Sequence, residues 1–176
     1  MSAVAALLKG VNVGGAHLVR MADLRARLEA DGFAAVRTLL QSGNVVLEPG
    51  DRSPAAVAEA VARAVEALAG FRPEVIVRDG AELAATLARV PWPDAPGNRV
   101  LVTFLAGDPD PEGVRTLEDW SGPEQVRVIG RELHVRYDEG MARSEFAKRP
   151  VERLLRTAGT ARNLNTLRKL VEITAA

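Results

Sequence analysis

A chain of 176 residues, 47% apolar and 26% charged with 23 basic against 23 acidic side chains, has the composition of a soluble globule holding one sizeable core or two small subdomains. Its formal net charge of zero argues against a dedicated nucleic-acid or membrane-surface binder, which would carry a basic excess. The lack of cysteine excludes disulfides, thiolate metal sites and cysteine nucleophiles, and no stretch approaches the roughly 20 apolar residues that span a bilayer.

The N-terminal "AVAALLK" (3–9) is an apolar run without the basic lead of a signal peptide, so it reads as a buried strand and a cytoplasmic protein is expected. "KGVNVGGAHLVR" then forms a glycine-rich turn before "MADLRARLEADGF", whose Met21, Leu24 and Leu28 share one helical face up to Gly32. "VRTLLQ" (36–41) and "NVVLE" (44–48) predict a hairpin turning at Ser42-Gly43, with Leu40 and Val45 on one side and Leu39 and Val46 on the other. Ser53 and Pro54 open a helix carrying Val57, Val61, Val65 and Leu68 to Gly70, with Glu59, Arg63 and Glu66 on its polar face. "PEVIVR" (73–78) is a further strand, and Asp79 with Glu82 make a capping box for a helix ending before Pro91.

This order is the split βαβ, or ferredoxin-like, unit βαββαβ. "PWPDAPGN" follows as a linker, then strand "RVLVTFLAG", helix "DPEGVRTLEDW" and hairpin "QVRVIGRELHVRY". Pro150 and Asn163 or Asn165 open two final helices. The expectation is therefore an α+β fold: a ferredoxin-like subdomain at 1–90, a linker at 91–98, and at 99–176 a degenerate second βαββα subdomain with C-terminal helices, packed on the first.

In a split βαβ sheet the end of the first strand, the start of the first helix and the central hairpin meet at one sheet end. Lys9, Gly10, Asn12, Gly14 and Gly15 should therefore lie near Gln41, Ser42, Gly43 and Asn44, beside the exposed N–H groups of a helix N-terminus, as an anion site requires. Ala16-His17 stands where a phosphate loop needs Lys-Ser/Thr, and G-x-G-x-x-G is absent, so no ATP, NAD or other cofactor is expected. The alternative is that the glycines supply positive φ in a long turn while Ser42 and Asn44 close a hairpin. The central strands carry no aromatic residue, which argues against RNA stacking on the sheet. They are apolar on both faces, so the face away from the helices calls for cover from the second half or a partner subunit, leaving a homodimer open. No spacing suggests a metal site. His17 reads as a surface loop residue and His134 as a solvated strand residue.

"ALLKGVNVGG", "MADLRARLEADGF", "VRTLLQSGNVV" and "TARNLNTLRKL" together resemble the bacterial family catalogued as domain of unknown function 1697. Its characteristic motifs fall on Gly10, Asn12, Gly14, Gly15, Gln41, Ser42, Gly43, Asn44, Thr160, Ala161, Arg162 and Asn163. The resemblance implies an α+β fold with ferredoxin-like units and no assigned activity. Glu145 stands where the family stretch has lysine, against an anion-binding role there, whereas Lys9 keeps the charge of the family's arginine. Thr160, Arg162 and Asn163 are a secondary candidate group. Three functions follow as expectations: a binding module for a small anionic or phosphorylated ligand at the 9–17 and 41–44 end, an enzyme of unknown reaction there, or a protein or nucleic-acid interaction unit using the arginines around 149–169.

Overall fold

The computed structural model describes residues 2–176. They form two compact units, one reaching from the N-terminus to Ala84 and including Leu170–Ala176, the other covering Ala85–Lys169.

The first unit runs β1 (Val4–Leu8), α1 (Met21–Ala30), β2 (Ala34–Leu39), β3 (Asn44–Glu48), α2 (Pro54–Ala69) and β4 (Val75–Asp79), followed by the start of α3 (Gly80–Ala88). Its sheet has the order β2-β3-β1-β4 with every neighbour antiparallel, the ferredoxin-like arrangement. Strand alternation divides β1 between two faces. Val4, Ala6 and Leu8 pack with Leu24 and Leu28 of α1 and Val57, Val61 and Val65 of α2, while Ala5 and Leu7 are fully buried on the other face. The helix signals act as expected. Ser53 Oγ accepts from the Ala56 N–H, Gly70 ends α2 at φ 76°, and Asp79 and Glu82 exchange the two bonds of a capping box at 2.8 and 2.9 Å.

The second unit runs β5 (Val100–Leu105), α4 (Pro111–Glu118), β6 (Gln125–Ile129), β7 (Glu132–Arg136), a 3₁₀ turn at Phe146–Lys148, α5 (Val151–Leu155), β8 (Gly159–Asn163) and the first part of α6 (Leu164–Ala175). Its sheet order, β6-β7-β5-β8, repeats that of the first. The second copy therefore carries one strand more than its sequence pattern suggests. "GTARN" lacks an apolar run, yet it pairs along β5 from Leu101↔Asn163 to Leu105↔Gly159. Its inward positions are polar: Thr160 and Arg162 are buried, and Arg162 Nη1 donates to Thr160 Oγ1 at 2.8 Å. Burial lowers the Arg162 pKa to about 10. The core on the helical side holds Leu105, Leu117, Leu133, Val135, Phe146 and Leu155. Residues 91–98 contain no helix or strand.

The central hairpin of the first unit also differs from expectation. Leu39 pairs with Asn44, so the connection is the four residues 40–43 and not a two-residue Ser42-Gly43 turn. Leu40, at φ 61°, leaves the sheet and is 52% exposed. A Cβ on Gly43 would lie 3.0 Å from Leu8 Cβ, so glycine is needed there for close approach as well as for its φ of 83°.

Candidate functional site

The glycine-rich segment after β1 and the hairpin between β2 and β3 meet at one end of the first unit, as the split βαβ topology requires. Asn12 joins them. Its Nδ2 donates to Val19 O at 2.9 Å and to Gln41 O at 2.7 Å, and its Oδ1 accepts from the Val19 N–H at 2.7 Å. Leu8 N donates to Gly43 O, and Lys9 N to Glu74 O, both at 2.9 Å.

Within this rim "VGGA" is a small hairpin. Val13 and Ala16 form an antiparallel bridge closed by Ala16 N to Val13 O, and Gly14 and Gly15 have φ of 60° and 75°. Positive φ at both central residues is what a type I′ turn demands, and glycine adopts it without strain. Gly10 is likewise left-handed at φ 67°. Asn44 is fully buried, its Nδ2 donating to Leu39 O and Ser42 Oγ. The asparagine side chains are thus occupied in shaping the loops.

The surface groups left by this construction are the amides of Gly14 and Gly15, which have no intramolecular partner among the described residues, and the exposed Gln41 side chain. Lys9, five residues before Gly14, is half-buried. Helix α1 starts at Met21 and its N-cap, Arg20, supplies no side-chain cap, so the Met21 and Ala22 amides and the positive dipole end remain available at this end of the unit. His17 stacks on Phe71 with ring centroids 4.5 Å apart. Val13, Leu18 and Leu40 are more than half exposed.

The secondary group belongs to the other unit. Thr160 and Arg162 are bonded to one another within β8, and Asn163 Oδ1 caps α6 by accepting from the Thr166 N–H at 2.9 Å. Among the described residues no group of three or more His, Asp or Glu is placed to hold a metal ion, and no helix there is long and apolar enough to cross a membrane.

Two polar features of the second unit escape a reading of the chain. Glu124 accepts from Trp120 Nε1 at 2.7 Å and from Ser144 Oγ, joining residues 20 apart along the sequence that share no local motif. Burial pushes the Glu124 carboxyl up, but the bonds from Ser144 and Trp120 outweigh it and hold the pKa below the ordinary value. Burial, with the Glu124 charge added, pushes the Tyr137 hydroxyl up to about 12.

The other is His134, which is 1% exposed and not solvated, because the face of β7 it shares with Glu132 is buried as well as the face of Leu133 and Val135. It stands between Val102 of β5 and Arg127 of β6, and its Nδ1 has no hydrogen-bond partner among the described residues. Burial lowers its pKa from 6.5 to about 4. Below pH 6.5 the unfolded chain gains a proton that the folded chain refuses until about pH 4, so stability falls with pH across that window. Between pH 7 and pH 5 the loss from this group is about 2 kcal/mol. Urea unfolding at both pH values should show it for the wild type, and His134→Gln should flatten the dependence by that amount. An equal slope in the two proteins would refute the assignment.

Two antiparallel sheets of ferredoxin-like order, the first ending in an asparagine-clamped glycine rim, define an α+β protein of duplicated architecture. The family model described as a protein of unknown function (DUF1697) matches residues 1–134, and the chain belongs to that family. Among solved structures it is similar to a conserved bacterial protein, SP0830 from Streptococcus pneumoniae, at 23% identity with a TM-score of 0.75, covering 98% of each chain. That likeness establishes the fold. No curated protein matches the chain.

Proposed function

We propose that the protein is a binding module for a small anionic ligand, held at the end of the first unit formed by residues 9–17 and 41–44. The observation that carries this reading is the pair of unpartnered amides at Gly14 and Gly15, on a loop that Asn12 fixes in place before any ligand arrives. Two adjacent N–H groups at a left-handed turn, the second five residues before Arg20 at the uncapped start of α1 in the chain, present partial positive charge without a rearrangement cost. Lys9 adds a formal charge and Gln41 a rotatable donor. Val13, Leu18 and Leu40 adjoin these groups in the chain, which suits a ligand with an apolar part beside its anionic head.

The enzyme reading has less support. Ser42 Oγ accepts from Asn44, and no carboxylate or imidazole hydrogen-bonds it among the described residues. The interaction unit using arginines 149–169 also loses ground, since Arg162 is buried and Arg168 Nη2 donates to Pro93 O at 2.9 Å.

A thermal-shift screen against phosphosugars, nucleotides and carboxylate metabolites tests the proposal beside Lys9→Met and Gln41→Ala. A ligand that stabilises the wild type and is weakened about tenfold by either substitution supports it. Ligands that stabilise wild type and both variants equally bind elsewhere and overturn the assignment.

A further inference from the structure

At the opposite end of the first unit three arginines surround a cavity of about 440 Å³. Arg27 comes from the last turn of α1, Arg52 from the connection between β3 and α2, and Arg63 from the exposed side of α2. Asp31, Phe33 and Ala60 complete the lining. Helix α1, ten residues long, separates this cavity from the glycine rim by roughly 15 Å.

The guanidinium groups are held in different ways. Arg52 lies over the Phe33 ring, 4.3 Å from its centroid, and it makes no ion pair with a carboxylate among the described residues. Arg27 Nε donates to both oxygens of Asp31 at 3.0 Å, which fixes the side chain while leaving its terminal nitrogens without a bond. Arg63 has only a loose contact with Glu59, 3.6 Å, because Glu59 is drawn to Arg72 at 2.5 Å. The bond from Arg72 keeps the Glu59 pKa low, so that carboxylate stays committed.

Three cations and one carboxylate leave a formal charge of +2 around the cavity. Like charges gathered in this way repel unless an anion joins them. A guanidinium presents N–H donors in a planar fork that fits phosphate oxygens in pairs, and a phosphomonoester carries nearly two negative charges at neutral pH. The volume lies in the range of small-molecule sites. We propose that this cavity binds the phosphomonoester group of a small phosphorylated molecule, through Arg27, Arg52 and Arg63.

Calorimetric titration with glucose 6-phosphate, inorganic phosphate and glucose, at constant ionic strength, tests it on the full chain. Saturable binding of both phosphates and none of glucose is expected. Arg63→Gln should weaken binding about tenfold, and Arg52→Lys, which keeps the charge but loses the fork, should weaken it several-fold. Arg63 is 67% exposed on a helix, so its substitution leaves the fold intact. Arg25→Gln, at an exposed arginine of α1 that does not line the cavity, should leave phosphate binding unchanged, which separates the site from general surface charge. Binding unaffected by Arg63→Gln and Arg52→Lys, or absent from the wild type, would overturn the proposal.

Discussion

Asn12→Ala should lower the unfolding free energy by about 3 kcal/mol. The substitution removes two part-buried bonds with Val19, each contributing about 1 kcal/mol, and an exposed bond to Gln41 O that contributes less. It also places alanine at φ 55°, a left-handed conformation that asparagine tolerates far better. Asn12→Gly separates the two effects. It relieves the backbone and still loses the bonds, so it should recover only the smaller part of the deficit. Urea denaturation gives the free energies, and hydrogen exchange at Val19 should accelerate in both variants. Wild-type stability in Asn12→Ala would mean that the clamp holds nothing. The result bears on function too, since a lost ligand response in that variant would report a loosened loop and not a missing contact.

Gly113→Ala should cost about 3 kcal/mol or more, the largest effect of a single added methyl in this chain. Gly113 lies in the first turn of α4, where an added Cβ would sit 2.0 Å from Leu154 O and 2.6 Å from Leu154 C of α5. Both are backbone atoms, so no side chain can rotate aside and the two helices must part. The separation disturbs Leu155 and Leu117, both fully buried in the second core. Gly14→Ala provides the contrast. Its Cβ meets nothing within 4 Å, so its penalty is only that of a left-handed φ, about 1 kcal/mol. Thermal or urea unfolding of the two variants should differ clearly. Equal losses would mean that α4 and α5 do not approach so closely.

Much of the first unit was legible along the chain because its signals are local. Ser53, Gly70 and the Asp79–Glu82 pair mark helix ends through bonds spanning three or four residues. The meeting of residues 9–17 with 41–44 followed from the direction of strands alone. The hairpin register was less legible. Leu39 and Leu40 are equally apolar, and packing of Gly43 against Leu8, with the Asn44 bond to Leu39 O, decides where the strand ends.

Strand β8 and His134 were hidden for a shared reason. Alternation shows which face a residue takes, but the usual inference that polar means exposed fails when both faces of a sheet are buried. Thr160, Arg162, Glu132 and His134 occupy such a face. The arginine cavity was hidden differently, since Arg27, Arg52 and Arg63 come from separate elements and make no motif.

The amino-acid order by itself determined the helices, their caps, the repeated βαββ pattern and the end of the first sheet where the glycine loop must fall. These depend on φ preferences and on periodicities of two and 3.6 residues. Only the tertiary structure decided that Asn12 clamps that loop, that a polar segment completes the second sheet, and that three arginines share one cavity. Those outcomes depend on side chains brought together from distant positions, where contact geometry and desolvation overrule local preference.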